Sequence, residues 1–129
     1  MHSNLFFGIA IIWTTLITIL CLISPASIPG VSVPNGDKIV HAILYFFFTI
    51  FWYIFFKGQM QELEVTRVLL FVFLVAAMYG VIIELSQEVF TTARKADIND
   101  VFANMTGSLL AVGTLYTQDK FRQRRNNIK

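Results

Sequence analysis

The chain has 129 residues, of which 56% are hydrophobic and 14% are charged, with a net charge of +2. Soluble proteins carry about 25% charged residues, so this composition excludes an ordinary soluble domain, and the length suits one domain, residues 1–129. The single cysteine, Cys21, excludes an intramolecular disulfide and a cysteine metal cluster.

Apolar segments of membrane-spanning length recur along the chain. They cover residues 5–23, 39–56, 68–90 and 98–116. About 20 helical residues cross ~30 Å of hydrocarbon, and the backbone in lipid must pair within its own segment. The sequence therefore predicts an all-α, integral membrane four-helix bundle. No Lys or Arg precedes the first segment, which favours an uncleaved span over a signal peptide.

The connections differ in composition. Residues 24–38 contain all three prolines and predict an irregular loop, residues 57–67 predict a polar loop, and residues 91–97 predict a short turn.

The tail, residues 117–129, holds five of the ten basic residues. A basic segment directly after an apolar helix indicates an anchor on anionic lipid rather than a nucleic-acid site.

The distribution of Lys and Arg predicts the orientation. Four spans put both termini on one side, together with Lys57, Arg67 and the five basic tail residues, which makes seven cations. The other side has Lys38, Arg94 and Lys95. The positive-inside rule therefore places both termini in the cytoplasm, and the proline-containing loop and the Arg94 turn outside.

Polar residues form stripes at the outer ends of three spans. They are Asp37, His41 and Tyr45 on the second span, Glu84 and Gln87 on the third, and Asp97, Asp100 and Asn104 on the fourth. Spacings of three, four and seven residues put each set on one helix face. Charged groups in hydrocarbon cost at least ~2.5–3.5 kcal/mol, so we expect these side chains to converge in one outward-opening hollow.

Structural roles explain part of this pattern. Asp37 and Asp97 each stand before an apolar run, where an N-cap is expected, and Lys38 can extend its ammonium to the interface. His41 and Glu84 lie deeper, but a paired structural network is one role open to them. Small residues at four-residue spacing, Ala103, Gly107 and Ala111, predict close packing of the fourth span on the third.

Sequence motifs resemble the VanZ-like family over about residues 24–116. Asp37-Lys38-Ile39-Val40-His41 is similar to its D-K-hydrophobic-x-H segment, and residues 80–87 to its G-x-x-x-E-x-x-Q segment. Residues 94–107 are similar to R-x-x-D-x-x-D-hydrophobic-x-x-N-x-x-G. The resemblance implies a small bacterial membrane protein of a family named for teicoplanin resistance, and it implies no defined reaction.

Two functions follow as leading hypotheses. One is an envelope protein whose polar pocket binds a lipid headgroup, a cell-wall precursor, a glycopeptide or a protein partner. The other is a membrane-embedded enzyme acting on a lipid-linked or phosphorylated headgroup, in which His41 is a general acid or base that Asp37 or Glu84 orients. A transporter is less favoured, because no inverted repeat is visible and the polar residues gather at one face.

The candidate residues are common to both hypotheses. The catalytic candidates are His41, Glu84 and Asp100. The ligand-binding candidates are Asp37, Lys38, Tyr45, Gln87, Arg94, Asp97 and Asn104. No metal ligand set or cofactor is assigned, although Glu84, Asp97 and Asp100 offer the oxygen ligands that divalent cations use. Membrane lipids are expected partners and nucleic acid is not, and the sequence leaves open whether the chain forms a homo-oligomer.

Overall fold

The structure is a computed structural model that describes residues 2–22, 36–90 and 96–127, with side chains from residue 4. These residues form helices and no strand. The helices are α1 (His2–Leu22), α2 (Gly36–Gln59), α3 (Val65–Phe90) and α4 (Ile98–Asn127). The predicted all-α, four-helix membrane fold is confirmed.

Membrane-spanning character is clear in the first three helices. Residues Asn4–Leu22, Gly36–Gln59 and Val65–Phe90 are each long and apolar enough to cross a membrane. Their outer faces expose large apolar side chains, such as Ile12 (70%) and Met78 (66%). Within the described residues α4 does not reach the same apolarity, because its first turns carry Asp100 and Asn104.

Side-chain contacts fix the helix directions. His41 of α2 meets Asn104 of α4 through a hydrogen bond, and the last turns of these two helices line a common cleft, so α2 and α4 are parallel. The helix α1 runs the opposite way, since Phe7 packs on Trp52 while the later Trp13 bonds to the earlier Leu44. The helix α3 does so too, since Phe71 packs on Phe56 while Glu84 lies near His41. We call the end where α2 and α4 begin the acidic end, and the end where they finish the basic end.

The backbones of α2 and α4 approach each other closely. A Cβ atom on Gly107 would lie 2.0 Å from the carbonyl oxygen of Ala42, so only glycine allows these backbones to meet. The contact between α2 and α4 is the most extensive in the bundle. The predicted close packing by the small residues of α4 is therefore present, but Gly107 faces α2 and not the third span.

Polar contacts tie α1 to its neighbours. The indole Nε1 of Trp13 donates to the Leu44 carbonyl (3.0 Å), and that of Trp52 donates to Thr14 Oγ1 (3.1 Å). The Tyr79 hydroxyl donates to the Thr14 carbonyl (3.0 Å) and lies 2.7 Å from Thr18 Oγ1. Each bond satisfies a polar group that lipid cannot solvate.

The helices are longer than the sequence predicted. The predicted loop at residues 57–67 shrinks to residues 60–64, because α2 continues to Gln59 and α3 begins at Val65. The fourth helix continues from residue 116 through most of the predicted tail to Asn127. Residues 24–35 of the proline-containing loop, the turn residues 91–95 and residues 128–129 lie outside the described residues.

Candidate functional site

Three ionisable side chains from three helices meet at the acidic end. His41 of α2, Glu84 of α3 and Asp100 of α4 are 4%, 2% and 6% exposed. Each offers one ligand atom, and these atoms all lie within 4.8 Å of one another. We call these three residues the buried centre. The sequence predicted that the three stripes would converge, and the structure places all three members of this set together.

The imidazole of His41 is oriented by α4. Its Nδ1 lies 3.0 Å from Asn104 Oδ1, and with the amide oxygen assigned to face the ring, Nδ1 donates that hydrogen bond. Its Nε2 then faces Asp100 Oδ2 at 4.0 Å, while Glu84 Oε1 lies 4.0 Å from Nδ1. Asp37, the other residue predicted to orient His41, instead pairs its carboxylate with Lys38 (3.4 Å) and is 46% exposed.

Lys38 covers the outer side of the buried centre. Its Nζ donates to Asp100 Oδ1 (3.0 Å), Asp97 Oδ2 (3.1 Å) and Asp37 Oδ2 (3.4 Å), which accounts for its three N–H groups. The side chain is 28% exposed. Lys38 therefore does more than extend to the interface, since its ion pairs connect the first turn of α2 to the first turn of α4.

Asp97 caps α4, as the sequence predicted. Its Oδ1 accepts from the backbone N–H of Asn99 (2.9 Å), two residues into the helix. This backbone bond and the Lys38 ammonium hold the pKa of the Asp97 carboxyl below its usual range. The Asp97 backbone N–H in turn donates to Glu84 Oε2 (3.3 Å), so the cap also holds one carboxylate of the buried centre.

A hydroxyl and an amide group next to the buried centre have no hydrogen-bond partner among the described residues. In the described part of the chain, Tyr45 Oη and Asn104 Nδ2 are buried and make no hydrogen bond. Both side chains border Gly80, where an added Cβ would lie 3.3 Å from Asn104 Nδ2 and 3.4 Å from the Tyr45 ring. Buried polar groups nearly always have partners, so these two atoms are available to a bound molecule.

Two further polar residues extend the stripes toward the basic end. Thr49 follows Tyr45 by four residues on α2, and Ser108 follows Asn104 by four residues on α4. Both are buried, and their hydroxyls have no partner among the described residues. Neither residue was predicted from the sequence, because threonine and serine are common in apolar helices, although the four-residue spacing was a usable signal.

The remaining ligand-binding candidates are placed differently. The Gln87 amide donates to the Cys21 carbonyl (2.8 Å), which joins α3 to the end of α1 one turn from Glu84. Arg94 and its neighbour Lys95 lie outside the described residues.

The charges of this region favour a positively charged ligand. Among the described residues, the carboxylates of Asp37, Asp97 and Asp100 surround the ammonium of Lys38. A buried carboxylate needs a cation or several donors to offset its desolvation. An ammonium group or a divalent cation with oxygen and imidazole ligands can supply that charge.

A comparison with known protein families supports the resemblance seen in the sequence. The family model described as VanZ/LLP1 matches residues 4–118, which include all of α2 and α3, most of α1 and α4, and every residue of the site described above. No curated protein and no solved structure matches the chain. With most of its length matched, this chain belongs to the VanZ/LLP1 family.

Proposed function

We propose that the protein resides in the bacterial cytoplasmic membrane, with both termini in the cytoplasm, and binds an amine-bearing envelope molecule at its acidic end. The ligand class is a lipid headgroup or a cell-wall precursor with a free ammonium group. Occupancy of this outward-facing site alters how a glycopeptide such as teicoplanin reaches its target. The observation that carries the proposal is the excess of carboxylates over cations in the described acidic end.

Lys38 supports an ammonium as the ligand. Its own ammonium lies between Asp97 Oδ2 and Asp100 Oδ1, at 3.1 and 3.0 Å, so the carboxylates already have the spacing that an amine requires. The lysine is partly exposed and the carboxylate behind it is buried. An incoming amine displaces the flexible Lys38 side chain and takes its place between the two carboxylates.

The unpartnered polar atoms support a ligand that reaches past the carboxylates. Asn104 Nδ2 and the Tyr45 hydroxyl can donate to oxygen atoms of a headgroup whose ammonium lies near Asp100. Such a ligand combines a cationic group with acceptor oxygens, as phosphoethanolamine and peptide-bearing precursors do. The cations Arg94 and Lys95 follow in the adjoining turn of the sequence.

Lipid binding by native mass spectrometry tests the amine. The purified protein in detergent is titrated with phosphatidylethanolamine and with the same lipid acetylated on its nitrogen, which removes the positive charge. We expect about tenfold tighter binding of the free amine, and loss of this preference in Glu84→Gln and Asp100→Asn. Glu88→Gln is the matched control, because Glu88 is exposed on the same helix as Glu84. Equal binding of the two lipids contradicts the proposal.

Catalysis by the buried centre is a second candidate function. The specific observation in its favour is the spacing of His41, Glu84 and Asp100, whose ligand atoms lie within 4.8 Å of one another. One imidazole and two carboxylates can hold a divalent cation, or His41 can act as acid or base on a lipid-linked substrate.

Metal content and turnover distinguish this second candidate. Elemental analysis of the purified protein is expected to show about one equivalent of a divalent metal, lost in Glu84→Gln and retained in Glu88→Gln. Conversion of a lipid-linked precursor by the wild type, abolished by His41→Ala, favours the enzyme. Binding of the amine lipid with neither metal nor turnover favours the binding protein.

A further inference from the structure

The basic end of the bundle contains a cleft that is separate from the site at the acidic end. The cleft has a volume of about 1130 Å³ and lies between the last turns of α2 and the extension of α4. Ligand pockets commonly measure about 300–1,000 Å³, so this space is ample for a headgroup. It opens at the opposite end of the parallel helices α2 and α4 from the buried centre.

The cleft is positively charged. Lys57, Arg122 and Arg125 line it, against one carboxylate, that of Asp119. Asp119 Oδ2 accepts from Gln123 Nε2 (2.7 Å), and Lys57 Nζ donates to the Leu63 carbonyl (2.8 Å). Neither arginine forms an ion pair with a carboxylate in the residues that the structure describes. Two guanidinium groups are therefore free to bind an anion.

The walls combine these cations with apolar and aromatic side chains. Ile54 and Tyr53 of α2 face Leu115 and Phe121 of α4 across the cleft. Guanidinium groups bind phosphate through paired N–H donors, and basic pockets between helices at a membrane surface bind anionic headgroups. The apolar walls suit the glycerol and first acyl carbons of a lipid better than a soluble anion.

From this cleft we infer a second binding site, for the phosphate of an anionic membrane lipid, held by Arg122 and Arg125 with Lys57 at its edge. The site is independent of the amine-binding site proposed above and shares no residue with it. It differs from general attraction of the basic tail to the membrane, because only some of the tail cations line the cleft. Lys120 lies over the Tyr116 ring (5.5 Å), and neither it nor Arg124 is among the lining residues.

Paired double variants test the site. R122Q/R125Q removes the two lining arginines, and K120Q/R124Q removes two cations from the same helix with the same change in net charge. All four residues are exposed, so both variants should fold, which helicity and thermal unfolding verify. The probe is phosphatidylglycerol, titrated onto the full chain in detergent and counted as adducts by native mass spectrometry.

We expect R122Q/R125Q to bind phosphatidylglycerol about tenfold more weakly and K120Q/R124Q to bind it as the wild type does. Equal weakening in both variants, or none in either, overturns the inference. Inorganic phosphate at millimolar concentration should displace little lipid. If it binds alone with the same dependence on Arg122 and Arg125, the ligand is a soluble phosphate and the assignment to lipid is wrong.

Discussion

His41 and Asn104 are joined by a hydrogen bond of 3.0 Å between the imidazole Nδ1 and the amide Oδ1. The two residues are 63 positions apart, on α2 and α4, and both are buried. Because this bond is made across two helices, the direction in which Nε2 points depends on the packing of the bundle as well as on the rotamer of His41. The Nε2 atom of His41 is therefore positioned in the buried centre by a neutral amide.

Asn104→Leu tests this relationship. The substitution keeps the volume of the side chain but leaves a buried imidazole donor without its acceptor, which costs about 1–3 kcal/mol. We expect a lower midpoint of thermal unfolding and weaker binding of phosphatidylethanolamine. Ser108→Ala is the matched control, one turn further on the same helix, because its hydroxyl makes no hydrogen bond among the described residues. An unchanged midpoint in Asn104→Leu shows that the bond contributes nothing.

Gly107→Ala tests the approach of α2 to α4. The added methyl group would meet the Ala42 carbonyl at 2.0 Å, so the helices must separate, and overpacking of this kind costs about 1–3 kcal/mol or more. We expect lower yield in membranes and a lower unfolding midpoint. Gly113→Ala on the same helix has no heavy atom within 4 Å of the new methyl group and should be neutral or slightly stabilising. Similar behaviour of the two variants contradicts the packing described.

Lys38→Gln tests whether the lysine occupies the place of the ligand. Removing the internal ammonium frees the carboxylates of Asp97 and Asp100, so the variant should be less stable but bind phosphatidylethanolamine about tenfold more tightly. Lys120→Gln is the control, because it makes the same change in net charge on the last turns of α4, away from the acidic end. Weaker amine binding in Lys38→Gln instead means that Lys38 contributes to the ligand site and does not compete for it.

Asp97 makes stability depend on pH in the acid range. Its pKa in the folded chain is lowered below 3.8, so its contribution is fully present above pH 3.8 and is lost as the pH falls through the lower folded value. We expect Asp97→Asn to flatten the decline of the unfolding midpoint as the pH falls below 3.8. The amide preserves an acceptor for the cap, so the variant should remain helical. An identical decline in wild type and variant excludes this role of Asp97.

The sequence predicted the kind of fold and the membership of the buried centre well. Apolar length is a local property, and the three-residue and four-residue spacings put His41, Glu84 and Asp100 on inward faces. Partner choice was harder, because it depends on how helices rotate about one another. Asn104 binds His41, and Gly107 packs on α2 rather than on α3, and no spacing within a single helix contains that information.

The helical conformation of residues 117–127, at the end of α4, was not predicted from the sequence either. Basic residues after an apolar run indicate a membrane surface but not a backbone conformation, so residues 117–127 were predicted only as a tail. In the structure they continue the helix, which places Arg122 and Arg125 along one wall of a cleft instead of in a loose segment. The cleft could not be predicted, because its other wall comes from α2, about sixty residues earlier in the chain.

The contact between Gly107 and Ala42 has a mechanical consequence. A backbone seated directly on another backbone cannot slide past it or roll over it, as helices separated by flexible side chains can. We therefore expect the two parallel helices to move together as one rigid unit. Arg122, fifteen residues beyond Gly107, then stays about 22 Å further along the helix axis when a ligand binds at either end. We therefore expect any motion that links the acidic end to the basic end to occur in α1 and α3.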